Sequence, residues 1–354
     1  MNFQYRQTDS FFSSGMLTSP PPDISIAIAQ DIAHEQYGIH GDIIPLSGER
    51  DKNFRLSTPN GDAWVMKFYN STDDALMRDF QEKILLHLES TDMELSVPRL
   101  IKTRNGENHF QSIDNHGNTI FGILITFLPG KTQSRGQSDL FYRHLGQKIA
   151  ELNIAMRDFS HPAQHRIILW DLRHAGKLRA STEYLPTGIR HDWIVDYLEH
   201  FEQQVLPATD PLRQQVIHND LSSSNLLIDS HHPDQIAGIL DFGDMVHAPL
   251  INELATAASY HMPPEAKNPL LSVAEIVKGY QRRIPLYDDE LALLYELILA
   301  RLTIRVLITE WRSVLFPENS EYILRHNPGA WALLDHFSAI ALKDGRQTLI
   351  NLCK

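Results

Sequence analysis

Two short acid-bearing stretches constrain this chain more than anything else in it: Val216-Ile217-His218-Asn219-Asp220-Leu221-Ser222-Ser223-Ser224-Asn225 and Gly238-Ile239-Leu240-Asp241-Phe242-Gly243-Asp244. Each contains an apolar run short enough for a buried strand. An Asp, an amide five residues later and a second Asp sixteen residues beyond that suit chemistry with a hard cation and phosphate. Mg2+ takes carboxylate, amide and phosphate oxygens and keeps much of its water. Asp220 is the expected general base toward a hydroxyl, with Asn225 and Asp241 as the expected metal ligands. One such Asp alone would read as a turn or a helix cap; the spacing of all three carries the expectation.

The rest of the chain reads as a small mixed lobe followed by a large helical one. Residues 1–22 are Ser- and Pro-rich, end in Pro20-Pro21-Pro22 and read as a disordered tail. Asp23 is the expected cap of a helix with Ile24, Ile28 and Ile32 on one stripe, stopped by Gly38. Strands are expected at Ile43–Leu46, Phe54–Ser57 and Ala63–Tyr69, and near 109–113 and 120–127. Pro59-Asn60-Gly61-Asp62 is a hairpin turn. One helix interrupts them, with Ser71 or Thr72 as cap and Leu76, Phe80, Ile84, Leu85 and Leu88 as its apolar positions. Beyond Pro129-Gly130 helical periodicity dominates, at roughly 138–158, 191–206, 250–260, 272–283, 288–313 and 329–350. Only Leu226–Ile228 and Ile236–Leu240 look like strands there. The expected domains are therefore 23–128, binding nucleotide, and 129–354, carrying the catalytic loop, metal and acceptor.

In Ala63-Trp64-Val65-Met66-Lys67-Phe68, alternation puts Val65 and Lys67 on one face and Trp64, Met66 and Phe68 on the other. An apolar surface beside an ammonium suits a nucleotide base and its phosphates. Such a lysine is usually held by an acid on the following helix. Gln81 is the best-placed partner by geometry and Glu82 the best by charge, with Asp79 a third candidate. The turn Ser47–Phe54, including Asn53, would offer backbone N–H groups to phosphates. Thr126 and Leu128, at the end of the last strand, are candidates to read a purine edge with backbone groups.

Lys+Arg 32 against Asp+Glu 44 gives a net charge of −12, which offers no footprint for nucleic acid or an anionic membrane and favours a cationic small molecule. The one cysteine, Cys353, has no partner for an internal disulfide. With no signal-like N-terminus and no long apolar run, a soluble cytoplasmic protein is expected. Two decoys fail on spacing. Gly130-Lys131-Thr132 would need a glycine at 125, which is Ile, to close a P-loop. His161 and His165 are spaced like metal ligands on a helix, but Pro162 lies between them and no Glu does.

These residues resemble the aminoglycoside phosphotransferase / choline kinase superfamily, whose fold is protein-kinase-like. His218, Asp220 and Asn225 match its H-x-D-x-x-x-x-N loop, Asp241 its metal-binding Asp before Phe-Gly, and Lys67 its strand lysine. Gly48 to Phe54, Phe80-Gln81, Ile168-Leu169-Trp170-Asp171-Leu172 and Leu294 to Arg301 make the chain most similar to the hydroxylysine kinases and related bacterial phosphotransferases. The resemblance implies an α+β bilobal fold with an antiparallel sheet plus helix in the N-lobe and a mainly helical C-lobe. It also implies ATP or GTP with Mg2+ as donor. The acceptor is then expected to be a hydroxyl of a cationic amino alcohol or hydroxylated amino acid. Asp244, Trp170, Asp171, Asp192 and Glu253 are candidates to surround it, through counter-charge or an aromatic face. Asn219 stands where the family commonly has Gly, and no chemistry is expected of it. Homoserine, choline, an aminoglycoside or a methylthio-sugar stay open as acceptors. A non-catalytic nucleotide-binding regulator and a metal-dependent hydrolase are the readings of other classes.

Overall fold

The computed structural model describes residues 19–48, 50–132 and 138–354, so most of the expected tail, and Glu49 of the expected phosphate turn, lie outside the described residues. At its described start the chain is tied down, because the Pro20 carbonyl accepts a hydrogen bond from Asn70 Nδ2 at 3.1 Å. Two compact units emerge. One comprises the described residues up to Lys83 with Pro98–Phe127, the other Ile84–Val97 with Leu128–Lys354.

The first unit opens with α1 (Ile26–Ile32). Its cap is Ser25, which accepts the Ile28 N–H at 3.2 Å; Asp23, the expected cap, lies too early and instead meets His116 at 3.3 Å. A π-helical turn over Ala33–Tyr37 ends at Gly38, where φ is 71°, the left-handed geometry that glycine adopts without a steric penalty. The antiparallel sheet follows: β1 (Asp42–Leu46), β2 (Lys52–Ser57), β3 (Ala63–Phe68), β4 (Leu100–Ile101), β5 (Phe110–Ile113) and β6 (Thr119–Thr126). The strand order is β1-β2-β3-β6-β4, with β5 also on β6. Between β3 and β4 runs α2 (Ala75–Glu89). Its cap is Asp74, accepting the Met77 N–H at 2.8 Å, rather than Ser71 or Thr72; the Thr72 hydroxyl donates to Asn70 at 2.8 Å and is turned away from the helix.

Alternation along β3 holds. Met66 and Phe68 join Phe54, Leu56 and Leu124 in a fully buried core that α1 covers through Ala29 and Ile32. Phe68 meets Phe54 and Phe110 edge-on at 5.9 and 5.2 Å, the arrangement that ring quadrupoles favour. Val65 and Lys67, half-buried, take the opposite face.

The second unit is mainly helical: α3 (Asp139–Ala155), α4 (Ile189–His200), α5 (Leu206–Thr209), α6 (Ile251–His261), α7 (Leu270–Tyr280), α8 (Asp288–Leu315), α9 (Ser320–Leu324), α10 (Asn327–Ser338) and α11 (Leu342–Cys353). The single helix expected at 329–350 is two, because Ala341 adopts extended backbone and the new direction seats Gly345 against the Tyr295 ring of α8. A long 3-10 segment, Leu172–Tyr184, was not legible as periodicity. The strand inventory is also larger than expected. Besides β9 (Leu226–Ile228) and β10 (Ile236–Ile239), there are β7 (Lys131–Thr132), β8 (Gln214–Ile217) and β11 (Val246–Pro249). The sheets are β10-β9-β7 and β11-β8. Both decoys have ordinary roles: Lys131 and Thr132 form β7, and His161 caps a 3-10 turn whose Gln164 reaches back to it.

Candidate active site

Strand pairing within the second unit brings its acid stretches together. β8 delivers the chain to His218, β9 begins just after Asn225, and β10 and β11 bracket residues 240–245. With Ile217 opposite Val246 and Leu226 opposite Ile239, both loops leave the same strand ends. The Leu240 N–H donates to the Asn225 carbonyl at 2.8 Å, fixing one loop to the other.

His218 is wholly buried and internally used. Its Nε2–H donates to the Leu240 carbonyl at 2.9 Å, and Nδ1 accepts the Asp220 N–H at 3.2 Å. Burial pushes its imidazole down to about 4, so it stays neutral and orients the loop. Asp220 accepts from Asn225 Nδ2 at 2.6 Å on Oδ2, and the same Nδ2 reaches the Asp220 carbonyl at 2.9 Å. Burial, with the Asp244 carboxylate adding, pushes Asp220 up to about 7; Arg301 pulls the other way, and Asp241 adds again. Asp241 is exposed and left-handed, with φ 58°, and its Oδ1 accepts the Gly243 N–H at 3.1 Å.

Three residues hold this loop that were expected to do something else, or nothing. Glu253 on α6, suggested as a counter-charge for an acceptor, clamps two backbone donors: His218 N–H at 2.6 Å and Asn219 N–H at 3.0 Å. Burial raises its carboxyl to about 7, against the pull of those two bonds. Asn219, of which nothing was expected, has φ 64°, a conformation that favours Gly and, next to it, Asn. Its Nδ2 donates to the Asp244 carbonyl at 3.2 Å, and its own carbonyl accepts Arg301 Nη2 at 3.0 Å. Arg301 on α8 also donates to the Trp170 carbonyl and lies 3.9 Å from Asp220 Oδ1. Two buried charges on a largely apolar helix face were the available signal for Glu253 and Arg301.

The acceptor candidates divide. Asp244 stands beside Asp220 and acts on its charge. Trp170 is there too, but its ring faces the Arg301 guanidinium at 5.2 Å. Asp171 is fully buried; it takes the Arg173 N–H at 3.0 Å and the Arg173 guanidinium at 2.8 and 2.9 Å, so its carboxylate is committed within the fold. Asp192 is exposed beside His191.

In the first unit Lys67 Nζ donates to Gln81 Oε1 at 3.1 Å and pairs with Asp51 Oδ2 at 2.9 Å. The acid came from the turn before β2 rather than from α2. Glu82, the choice by charge, faces His109 at 3.2 Å instead. Asp51 is itself held by the Asn70 N–H at 2.9 Å, and Gln81 Nε2 leans on Asp73, which pairs with Arg50 at 2.8 Å. Asn53 lies directly across from Lys67, and Val65 across from Arg55. The Thr126 N–H is committed to the Arg99 carbonyl at 2.9 Å, while Leu128 belongs to the second unit, beside Gly238.

Among the described residues no group of three or more His, Cys, Asp or Glu side chains is placed to hold a metal ion by itself. The oxygen donors present suit Mg2+, which takes few protein ligands and completes its shell with phosphate and water. Asn225 commits its Nδ2 to Asp220, which leaves Oδ1 as the amide atom for a cation.

An antiparallel sheet plus helix, a helical second unit and this Asp-Asn-Asp loop pair define a kinase with the protein-kinase-like fold. The phosphotransferase enzyme family model matches residues 42–286, more than half of the chain, and the chain belongs to that family. It is 26% identical to hydroxylysine kinase of Danio rerio over 332 residues, spanning 88% of this chain and 93% of that one. To hydroxylysine kinase of Xenopus laevis it is 27% identical over 340 residues, 89% and 90%. Among solved structures, amicoumacin kinase with AMP-PNP and Ca2+ superposes with TM-score 0.66 at 15% identity, covering 92% of this chain and 94% of that one. A microcompartment-associated aminopropanol kinase does so with TM-score 0.63 at 18% identity, covering 90% and 100%. The chain is a small-molecule phosphotransferase acting on hydroxyl acceptors. No helix among the described residues is long and apolar enough to cross a membrane.

Proposed function

We propose that this kinase transfers the γ-phosphoryl group of ATP or GTP, with Mg2+, to a hydroxyl of a cationic amino alcohol or hydroxylated amino acid. The observation that carries the reading is the second unit's loop pair, where Asn225 grips Asp220 at 2.6 Å and the Asp241 carboxylate is exposed nearby. Asp220, raised to about 7, is basic enough to take the proton of an attacking hydroxyl. Asn225 Oδ1 and Asp241 would hold Mg2+, which when bound neutralises charge on the phosphates. Lys67 supplies an ammonium for phosphate oxygens, with Asp51 and Gln81 setting its position. Val65 offers apolar surface to the base and Asn53 lies across from the lysine; with the Thr126 N–H committed to Arg99, that donor is not available to a purine edge. The acceptor class rests on the relatives, whose names specify hydroxylysine and aminopropanol as substrates.

The test is a pair of variants assayed against an amino-alcohol and hydroxy-amino-acid panel. Asp220→Ala should lower kcat by roughly 10²–10⁴ while calorimetry still detects the nucleotide. Asp241→Ala should remove activity together with the Mg2+ dependence of nucleotide binding. An undiminished rate in Asp220→Ala would overturn the assignment.

A further inference from the structure

Arg301 and Arg305 stand one turn apart on α8, so their side chains leave the same face, about 6 Å apart along the axis. Arg301 gives its two Nη groups to the Trp170 and Asn219 carbonyls and has Asp220 nearby. Arg305 has no such carboxylate beside it. Its Nη1 donates to the Ser259 carbonyl and its guanidinium lies 4.1 Å from the centre of the Tyr260 ring. No carboxylate of the described residues stands within 4.0 Å of that guanidinium. Desolvation lowers its pKa, Tyr260 and Asp220 raise it, and Arg301 opposes the charge.

A guanidinium keeps its proton at any ordinary pH, and a cation taken out of water without an anion is costly. Arg213 on Glu290 at 2.6 Å and Arg173 on Asp171 at 2.8 Å, in the same unit, have their anions built into the fold. Arg305, half-buried as a residue, has an aromatic face and a carbonyl, one helical turn from Arg301, whose Nη2 lies 3.9 Å from Asp220 Oδ1.

We propose that Arg305, with the Tyr260 ring behind it, binds the carboxylate of the acceptor, so that the acceptor is a hydroxylated amino acid rather than a simple amino alcohol or an aminoglycoside. The inference rests on the kinase reading above and narrows its substrate class. With the hydroxyl at Asp220 and the carboxylate a helical turn away, the two groups must be separated by several carbons. Acceptors of the hydroxylysine type then fit, and serine, whose hydroxyl and carboxylate are close together, does not.

The experiment compares hydroxylysine with its decarboxylated diamine and its amide, in the wild type, Arg305→Gln and Arg305→Lys. In the wild type kcat/KM should favour hydroxylysine over both analogues by roughly ten- to a hundredfold, the range for one charge-assisted pair. Arg305→Gln should collapse that ratio toward one through KM for hydroxylysine, and Arg305→Lys should restore part of it. Equal turnover of acid, amide and diamine by the wild type overturns the inference and leaves the kinase reading standing. So does a rise in nucleotide KM in Arg305→Gln without loss of acceptor selectivity. If none of the three is phosphorylated, thermal melting decides. Stabilisation of the wild type by hydroxylysine but not by the diamine supports the carboxylate site while the transfer reading fails; stabilisation by neither, or by both alike, overturns the site as well. The wild-type comparison of acid and analogues needs no variant to fold.

Discussion

Asn219 illustrates how a side chain without a chemical role can decide whether the chemistry is possible. Its left-handed backbone, its N–H on Glu253 and its carbonyl on Arg301 make it the junction of α6, α8 and the catalytic loop. A β-branched residue at such a φ costs on the order of 1–3 kcal/mol, and removing the amide also loses the bond to Asp244. Asn219→Val should therefore lower stability by roughly 2–4 kcal/mol in denaturant titration and lower kcat. Asn219→Gly should stay within about 1 kcal/mol of the wild type, because glycine takes this conformation freely. Equal losses for the two variants would remove backbone conformation as the reason for a small or Asn residue here. The same scale explains Lys67. Its partner Asp51 sits sixteen residues before it and is placed by the Asn70 N–H, a contact that no helix periodicity foretells.

Among the elements, α3 and α7 approach so closely that two glycines separate them. A Cβ on Gly146 would overlap the Ile276 carbonyl, and one on Gly279 the Arg143 carbonyl. In an isolated helix Gly→Ala gains about 1 kcal/mol from propensity. Here the added atom meets backbone, which cannot rotate away, and overpacking costs typically 1–3 kcal/mol or more. Gly279→Ala should therefore be destabilising, by roughly 1–2 kcal/mol net, read as a lower denaturant midpoint with unchanged slope; a rise in midpoint would mean that the helices can separate without loss. Strands tell a related story. β9 and β10 were legible because each is an unbroken apolar run, whereas β8 begins with two glutamines and β11 ends in proline. Those two are strands because they pair with each other across the loop they enclose, a tertiary event.

At the scale of the whole molecule, buried titratable groups tie stability to pH. His218 and His261 are both held near 4 by burial, below the 6.5 of a free imidazole, and each donates to a backbone carbonyl, Leu240 and Leu221 respectively. The unfolded chain takes up these protons as pH falls through 6.5 while the folded chain does not until about 4. Each histidine thus contributes stability that is present above 6.5 and lost as pH falls through that window. Asp220 and Glu253, raised to about 7, act in the opposite sense over the same range, since the folded state binds their protons first. The clean measurement is a difference. The stability of the wild type relative to His261→Gln should fall by about 2 kcal/mol from pH 7 to pH 5. A pH-independent difference would mean that His261 is protonated in the fold or not buried as described.

By itself the sequence determined what depends on neighbours in the chain: the alternation that puts Lys67 and Val65 on one face of β3, the apolar runs, and the His218-Asp220-Asn225 and Asp241 spacings on which the proposed chemistry rests. It also limited the partner of Lys67 to a short set that included Gln81 but missed Asp51. Only the tertiary structure decided which buried charges serve which backbone. Glu253 lies thirty-five residues from His218, and Arg301 eighty-two from Asn219. The physical reason is that a buried charge is tolerated only where it finds its complement, and that complement is chosen by how helices pack, not by how residues are spaced along them.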